Sequence, residues 1–348
     1  MDLILPFLAG LGLIGIKRTK SLDDCLNIRQ TQAVNGFFVV IIFIRHFYQY
    51  ITQSKYDRIL GHINSSTGQL IVVSFMFFSG FAFVRQYNIS EKYLSKVPKK
   101  IVALYLMFVI TVILFMTVGI ASGRSYGIKT VLLSFVGIRS VGNSTWYVVA
   151  ILFMWAFSYV SFKQKMIPPL ILMTALTTVY FVVMMHFMGD IYYNTVAAYL
   201  LGMVCASYND RVIACISQNK MFYPLLTGVC GSMALGGFFK RLLPVYELCI
   251  IAFCVFLLLF SIKFQVDNKV LRFLNSYSLE IYLIQRIPMI LLRNVTTVNL
   301  IYFILSFALT IPMAFIMKMI YHLICKLLSL TTSKSQTEEQ FLPFNNAK

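Results

Sequence analysis

Apolar residues in this chain gather into long runs, and strict alternation of apolar and polar positions is rare. From Leu3 to Leu330 the runs recur at lengths near those needed to cross a bilayer, and short breaks between them carry nearly all of the Lys, Arg, Asp and Glu. Bounded by charge, the runs cover 2–16, 33–51, 68–84, 101–121, 145–162, 167–187, 191–207, 221–239, 245–262, 273–292 and 298–325. A straight span needs about 20 residues, so several of these are short. The pattern predicts an all-α fold, a polytopic transmembrane helical bundle of about 10–11 helices. One apolar stretch, Thr130 to Ile138, is too short to cross and is expected to form a re-entrant or surface helix.

Residues 1–20 form an extra hydrophobic segment ahead of an expected transmembrane domain at 29–330. Lys17, Arg18 and Lys20 follow its apolar part instead of preceding it, the reverse of a cleavable leader, so a retained short span or an interfacial helix is expected. Residues 331–348 are polar and read as a disordered cytoplasmic tail.

Composition agrees with this layout. The 348 residues are 59% hydrophobic and only 12% charged, with a mean hydropathy of +0.79, whereas a soluble domain carries about a quarter charged residues. The net charge of +18 does not indicate nucleic acid, because the basic residues sit at the ends of apolar runs and form no stripe with interleaved aromatics. Roughly 19 basic residues fall in the connections 17–32, 85–100, 163–166, 208–220, 263–272 and the tail, against about 8 in the opposite set, which places the first group in the cytoplasm. The seven cysteines lie mostly inside apolar runs, without CxxC pairs or histidines at metal spacing, and read as buried thiols.

Polar residues inside spans are informative, because a charge near the bilayer centre costs at least ~2.5–3.5 kcal/mol on insertion scales. At about 100° per residue, Gln32, Asn35, His46 and Gln49 share one helix face, with Arg45 at its edge. Asn275, Ser278, Tyr282, Gln285 and Arg286 cluster similarly, while Glu280 points elsewhere. Two polar faces imply a shared cavity, although a lone intramembrane His also serves simply to bond a neighbouring helix. Glu280 and Glu247 are expected to pair with interior arginines. Ser79 and Gly80 permit close helix approach, and Arg85, Lys92, Lys96, Lys99 and Lys100 form the densest basic cluster, suited to lipid anchoring or to a phosphorylated donor. Trp146 and Tyr147 open a span at the expected outer interface. His62, His186 and His322 are weaker candidates.

Several short runs resemble one family. They are Asn35, Gly36 and His46, at the spacing of a basic-Gly pair with a His eleven residues on; Phe77, Phe78, Ser79, Gly80 and Phe81; Lys100 to Tyr105; Asn143 to Tyr147; Gly202 with Met203; and Ser278, Tyr282, Leu283 and Gln285. Their order and spacing resemble the acyltransferase type 3 family, bacterial membrane proteins that O-acylate surface polysaccharides and related glycans. The likeness departs at Asn35, where the family has Arg or Lys, and at Gln285, where it has His.

The resemblance implies transfer of an acyl group, acetyl first among candidates, from cytoplasmic acyl-coenzyme A to a hydroxyl of a cell-surface or lipid-linked glycan, in a multi-pass protein of the bacterial plasma membrane. The acyl-CoA is a donor substrate, and no permanently bound cofactor or metal is implied. In this reading His46 is general base or transient acyl carrier, and Arg45 or Arg286 stabilises the oxyanion. Arg85, Lys99, Lys100 and Tyr105 hold the donor, and Asn35, Gln49, Ser79, Trp146, Tyr147, Ser278, Tyr282 and Gln285 line the cavity. The competing classes are a glycan or lipid transporter, a polysaccharide polymerase, and a scaffold whose polar faces only join helices. No internal repeat and no long external loop favours the first two.

Overall fold

The computed structural model describes residues 1–19, 25–52, 57–61, 69–208, 221–236 and 243–328. It is an all-α bundle with one two-stranded ribbon. In chain order the elements are α1 (Ile4–Leu13), β1 (Ile16–Arg18), α2 (Ile28–Phe47), α3 (Leu70–Ile89), α4 (Tyr93–Ala121), α5 (Ile128–Phe135), α6 (Trp146–Lys163) and α7 (Pro169–Phe187). After a single 3-10 turn (Asp190–Tyr192) follow α8 (Val196–Ser207), α9 (Phe222–Gly236), α10 (Leu243–Lys263), β2 (Phe264–Val266), α11 (Lys269–Asn275), α12 (Ser278–Ile284), α13 (Arg286–Leu292) and α14 (Asn299–Leu327). Among the described residues six helices, α3, α4, α6, α7, α10 and α14, are long and apolar enough to cross a membrane. The expected tail at 331–348 lies outside the described residues.

Each apolar run of the sequence corresponds to helix, with two changes of boundary that matter. The run at 101–121 begins at Tyr93, so Lys96, Lys99 and Lys100 ride on α4 itself. The run at 273–292 is not one helix. It divides into α11, α12 and α13, broken after Asn275 and again at Gln285. The first break is held from outside: the Lys318 ammonium of α14 donates to the Ser276 carbonyl at 2.5 Å and lies 4.4 Å from the Tyr277 ring centroid.

Two ends of the bundle can be distinguished. The near end carries the α3–α4 and α6–α7 connections and the ribbon, in which Ile16 pairs with Val266 and Arg18 with Phe264. The far end carries residues 48–52, 57–61, 122–145, 188–195 and 293–298. The terminal ammonium of Met1 pairs with Asp57 at 2.8 Å, and Asp2 accepts from the Ile59 and Leu60 amides, all at the far end. At its other end α1 is tied by Asn268, whose amide donates to the Leu11 carbonyl at 3.1 Å while its oxygen caps α11. Tied to the bundle at both ends, α1 is a 10-residue apolar helix, shorter than the six that are long enough to cross a membrane.

Three glycines set the closest packing. A Cβ at Gly80 would overlap the Tyr199 carbonyl, and one at Gly202 would overlap the Phe77 carbonyl, so α3 and α8 meet backbone to backbone. A Cβ at Gly36 would overlap the Leu271 carbonyl, joining α2 to α11 in the same way.

The stretch expected as re-entrant or surface helix is α5, packed back along α4. The Tyr105 hydroxyl reaches the Phe135 carbonyl at 3.3 Å, sixteen residues below the end of α4 at Ala121, or about 24 Å at 1.5 Å per residue. Ile128, Leu132 and Val136 face outward from this segment. The returning chain, 136–145, re-enters the bundle beside α6, with the Tyr192 hydroxyl donating to the Gly137 carbonyl at 2.8 Å.

Candidate functional site

On α2, Asn35, Val39 and Ile42 follow one another at helical spacing and form one wall of a deep cavity. Its other walls come from α3 (Val72 to Gln86), from Tyr93 and Lys100 of α4, from Tyr147 and Trp155 of α6, and from Asn275, Ser278, Tyr282 and Gln285 of the broken helix. The enclosed space is about 1110 Å³, open mouth included. It follows α3 for fourteen residues, about 21 Å at 1.5 Å per residue. Its near-end rim carries Gln86, Tyr93 and Lys100, with the Lys100 ammonium 4.6 Å from the Tyr93 ring centroid.

The cavity's deep end is aromatic. Tyr147 and Tyr282 meet edge to face at 5.2 Å, and Ser79 hydrogen-bonds the Tyr147 hydroxyl. Beyond Tyr282, with ring centroids 6.2 Å apart, stands His46, one turn past Ile42 on the same α2 stripe and 7% exposed. Its Nε2 lies 3.4 Å from the Ser144 hydroxyl. Its Nδ1 is buried and has no hydrogen-bond partner among the described residues. Arg286, at the start of α13, donates to the Gly142 carbonyl at 3.2 Å and to the Gln49 side chain. Gly142 adopts φ +119°, a conformation open to glycine, and this turns its carbonyl toward the arginine. The returning chain thus delivers Gly142 to Arg286 and Ser144 to the histidine.

Polar atoms without partners mark the same region. Asn35 Oδ1 and Gln285 Oε1 are buried in the cavity lining with no hydrogen-bond partner among the described residues. An unpartnered buried acceptor is costly and unusual. Two such acceptors facing one cavity can be met there by donors of a water or of a ligand.

A family model described as an acyltransferase domain matches residues 33–319, most of the chain. The chain belongs to the acyltransferase type 3 family. No curated protein and no solved structure gives a match. The matched range begins just before Asn35 and ends just after Lys318, so it contains every wall of the cavity and excludes α1. As a member of this family with six long apolar helices, the chain is a multi-pass membrane acyltransferase.

Of the residues singled out in the sequence, Asn35, Ser79, Lys100, Tyr147, Ser278, Tyr282 and Gln285 line the cavity of this acyltransferase, and His46, Gln49 and Arg286 gather beyond its deep end. Trp146 sits edge-on to Tyr147 at 6.3 Å. Arg45 lies half-buried beside His46, where its charge acts on Tyr246. Arg85 stands over the Phe81 ring at 5.7 Å and Lys99 is exposed near the rim, while Tyr105 faces outward against α5. The expected arginine partners of the buried glutamates are not what the structure shows. The cation acting on Glu280 is Lys318 of α14, which packs against α12, and Glu247 Oε1 has no hydrogen-bond partner among the described residues. Trp155, Gly142 and Lys318 were not singled out in the sequence. Ser144 was visible there only as part of the Asn143–Tyr147 run.

Proposed function

We propose that this acyltransferase moves an acyl group, acetyl first among candidates, from acyl-coenzyme A entering at the near end to a hydroxyl of a cell-surface or lipid-linked glycan held at the far end. The observation that carries the reading is the α2 stripe: Asn35, Val39 and Ile42 line the cavity from its near-end side, and the next position on that stripe is His46. A histidine by the outer surface is thereby reachable by a donor from the other side.

The basic rim suits the donor's phosphates, with Lys100 at the mouth and Lys99 and Arg85 close by. The donor's arm contains amide N–H groups, which Asn35 Oδ1 and Gln285 Oε1 would accept, and its thioester would lie against Tyr147 and Tyr282. A hydroxyl is a weak nucleophile at neutral pH. The His46 imidazole takes its proton as the new C–O ester bond forms and the C–S bond breaks, and the proton then leaves on the coenzyme A thiol. The alternative order, in which His46 first carries the acyl group on nitrogen, uses the same residues. Arg286, with two of its donors anchored by Gly142 and Gln49, supplies positive charge where the oxyanion develops. The excess of Lys and Arg in the near-end connections supports reading that end as the cytoplasmic one of a bacterial plasma membrane protein, with the C-terminus on the same side.

The test is the O-acetyl content of cell-surface glycan by proton NMR in wild-type cells, a deletion, and cells with His46→Ala at matched protein level. Acetyl signals lost in both are expected. Signals unchanged in the deletion would sink the glycan reading, and loss in the deletion alone would remove His46 from the mechanism.

A further inference from the structure

We infer that the acceptor glycan is anionic, bearing a carboxylate or phosphodiester close to the hydroxyl that is acylated, and that Arg124, Arg286 and Arg293 receive it. The inference rests on the glycan-acylation reading above and names the class of its acceptor.

These three arginines come from different parts of the far end: the turn after α4, the start of α13 and the turn after α13. The charges of all three act on one group, the Tyr50 hydroxyl just past α2, and no carboxylate acts on it. Arg286 bonds the Gly142 carbonyl, and an Arg124 guanidinium nitrogen lies 3.9 Å from where a Cβ on Gly142 would stand. Gly142 is two residues from Ser144, the neighbour of His46. The cluster therefore flanks the histidine on the side away from the donor cavity.

Its charge is not neutralised from within. The two ion pairs among the described residues, Met1–Asp57 and Arg272–Asp267, involve none of the three. Of the far-end carboxylates, Asp2 accepts from two backbone amides and Asp57 from Met1 and Asn299, and neither Asp190 nor Glu247 is among the groups whose charge acts on Tyr50. The stretches 53–56, 62–68 and 237–242, outside the described residues, contain no Asp or Glu in their sequence. Arginines grouped without carboxylates, on the side that the positive-inside bias would deplete of them, fit an anion brought by the substrate. Arg286 keeps its Nε buried without a partner among the described residues.

The test begins in cells. Surface glycan from wild-type and deletion strains is separated by anion exchange, and O-acyl groups are measured in the retained and unretained fractions. Loss confined to the retained, acidic fraction is expected. Loss confined to the unretained, neutral fraction overturns the inference alone, whereas loss from neither fraction sinks the glycan reading beneath it. At matched protein level, Arg124→Glu with Arg293→Glu should lower O-acylation of the acidic fraction at least about tenfold, the factor that losing about 1.4 kcal/mol of charge-assisted contact gives. Arg124→Lys with Arg293→Lys should keep most of it. Wild-type acylation in the Glu pair, or equal loss in both pairs, overturns the inference. Lipid phosphates are the other anions at this level. If wild-type protein melts several degrees lower in phosphatidylcholine than in phosphatidylglycerol nanodiscs, and the Glu pair does not, the arginines serve lipid and the inference fails.

Discussion

Lys318→Met tests the joint on which the cavity's geometry depends. In the folded protein the Lys318 ammonium closes the break between α11 and α12, donating to the Ser276 carbonyl at 2.5 Å and lying 4.4 Å from the Tyr277 ring centroid. A hydrogen bond from a charged donor contributes about 1.5–3 kcal/mol, and a partly desolvated cation–π contact about 0.5–2. Methionine keeps the length of the aliphatic stem and loses both, so a destabilisation of about 2–4 kcal/mol is expected. Glu280, 2% exposed and one turn further along, loses the cation that acts on it, which couples the two positions. The assay is unfolding of the detergent-solubilised protein for Lys318→Met, Glu280→Gln and the double variant, alongside donor KM. The double variant should be more stable than the sum of the singles predicts. Because Asn275 and Ser278 flank the joint and line the cavity, donor KM should rise in Lys318→Met. A Lys318→Met protein that unfolds like wild type, or strict additivity with Glu280→Gln, would refute this account of the joint.

Other expectations follow from the site and the packing. Lys100→Ala should raise donor KM more than Lys99→Ala, since Lys100 lines the cavity and Lys99 does not; steady-state kinetics with varied acyl-CoA decides it, and the reverse order would displace the proposed rim. Tyr282→Ala removes the ring between the cavity and His46, and a chain-length series of acyl-CoA donors should show a shift toward longer groups. Gly142→Ala at φ +119° should cost about 1 kcal/mol and lower turnover by loosening Arg286, and a normal kcat in that variant would detach the carbonyl from catalysis. Gly36→Val, aimed at the Leu271 carbonyl, should reduce the amount of folded protein in the membrane, read as fluorescence-detected elution from detergent extracts.

The all-α class and the order of the apolar helices were legible in the chain because a bilayer forces every span to be an apolar run; their number was not, since fourteen helices are described, six of them long enough to cross, where about 10–11 were expected. Where the runs ended was less legible. Lys96, Lys99 and Lys100 were read as connection because charge was taken to end a span, yet lysine stems reach water from a helix that continues beneath them, as α4 does from Tyr93. The breaks in the 273–292 run were hidden for a different reason. Ser276 and Tyr277 do not by themselves stop a helix, and the cation that holds the break comes from α14, more than forty residues later. Of the two polar faces, Asn35 on one and Asn275, Ser278, Tyr282 and Gln285 on the other line a single cavity, since helical spacing is a local property, while His46, Gln49 and Arg286 lie beyond it. The partner of Glu280 was misjudged because partners across a bundle are set by packing order. Ser144 reaches His46, and Gly142 reaches Arg286, only because 128–145 folds back into the bundle, and an apolar stretch of that length does not reveal its depth.

The backbone contact between α3 and α8 bears on how a donor is admitted. Gly80 and Gly202 leave no side-chain layer between these helices, so neither slides nor tilts without the other, and α3 forms the longest wall of the cavity. The opposite wall is three short helices joined at Tyr277 and Gln285. Its first piece, α11, is locked to α2 at Gly36, and the other two are tied to α14 by Lys318 at the Ser276 carbonyl and by the Tyr302 hydroxyl at the Met289 carbonyl. A bulky thioester that needs more room finds it where this wall is interrupted, around α12, which carries Tyr282 between the cavity and the histidine.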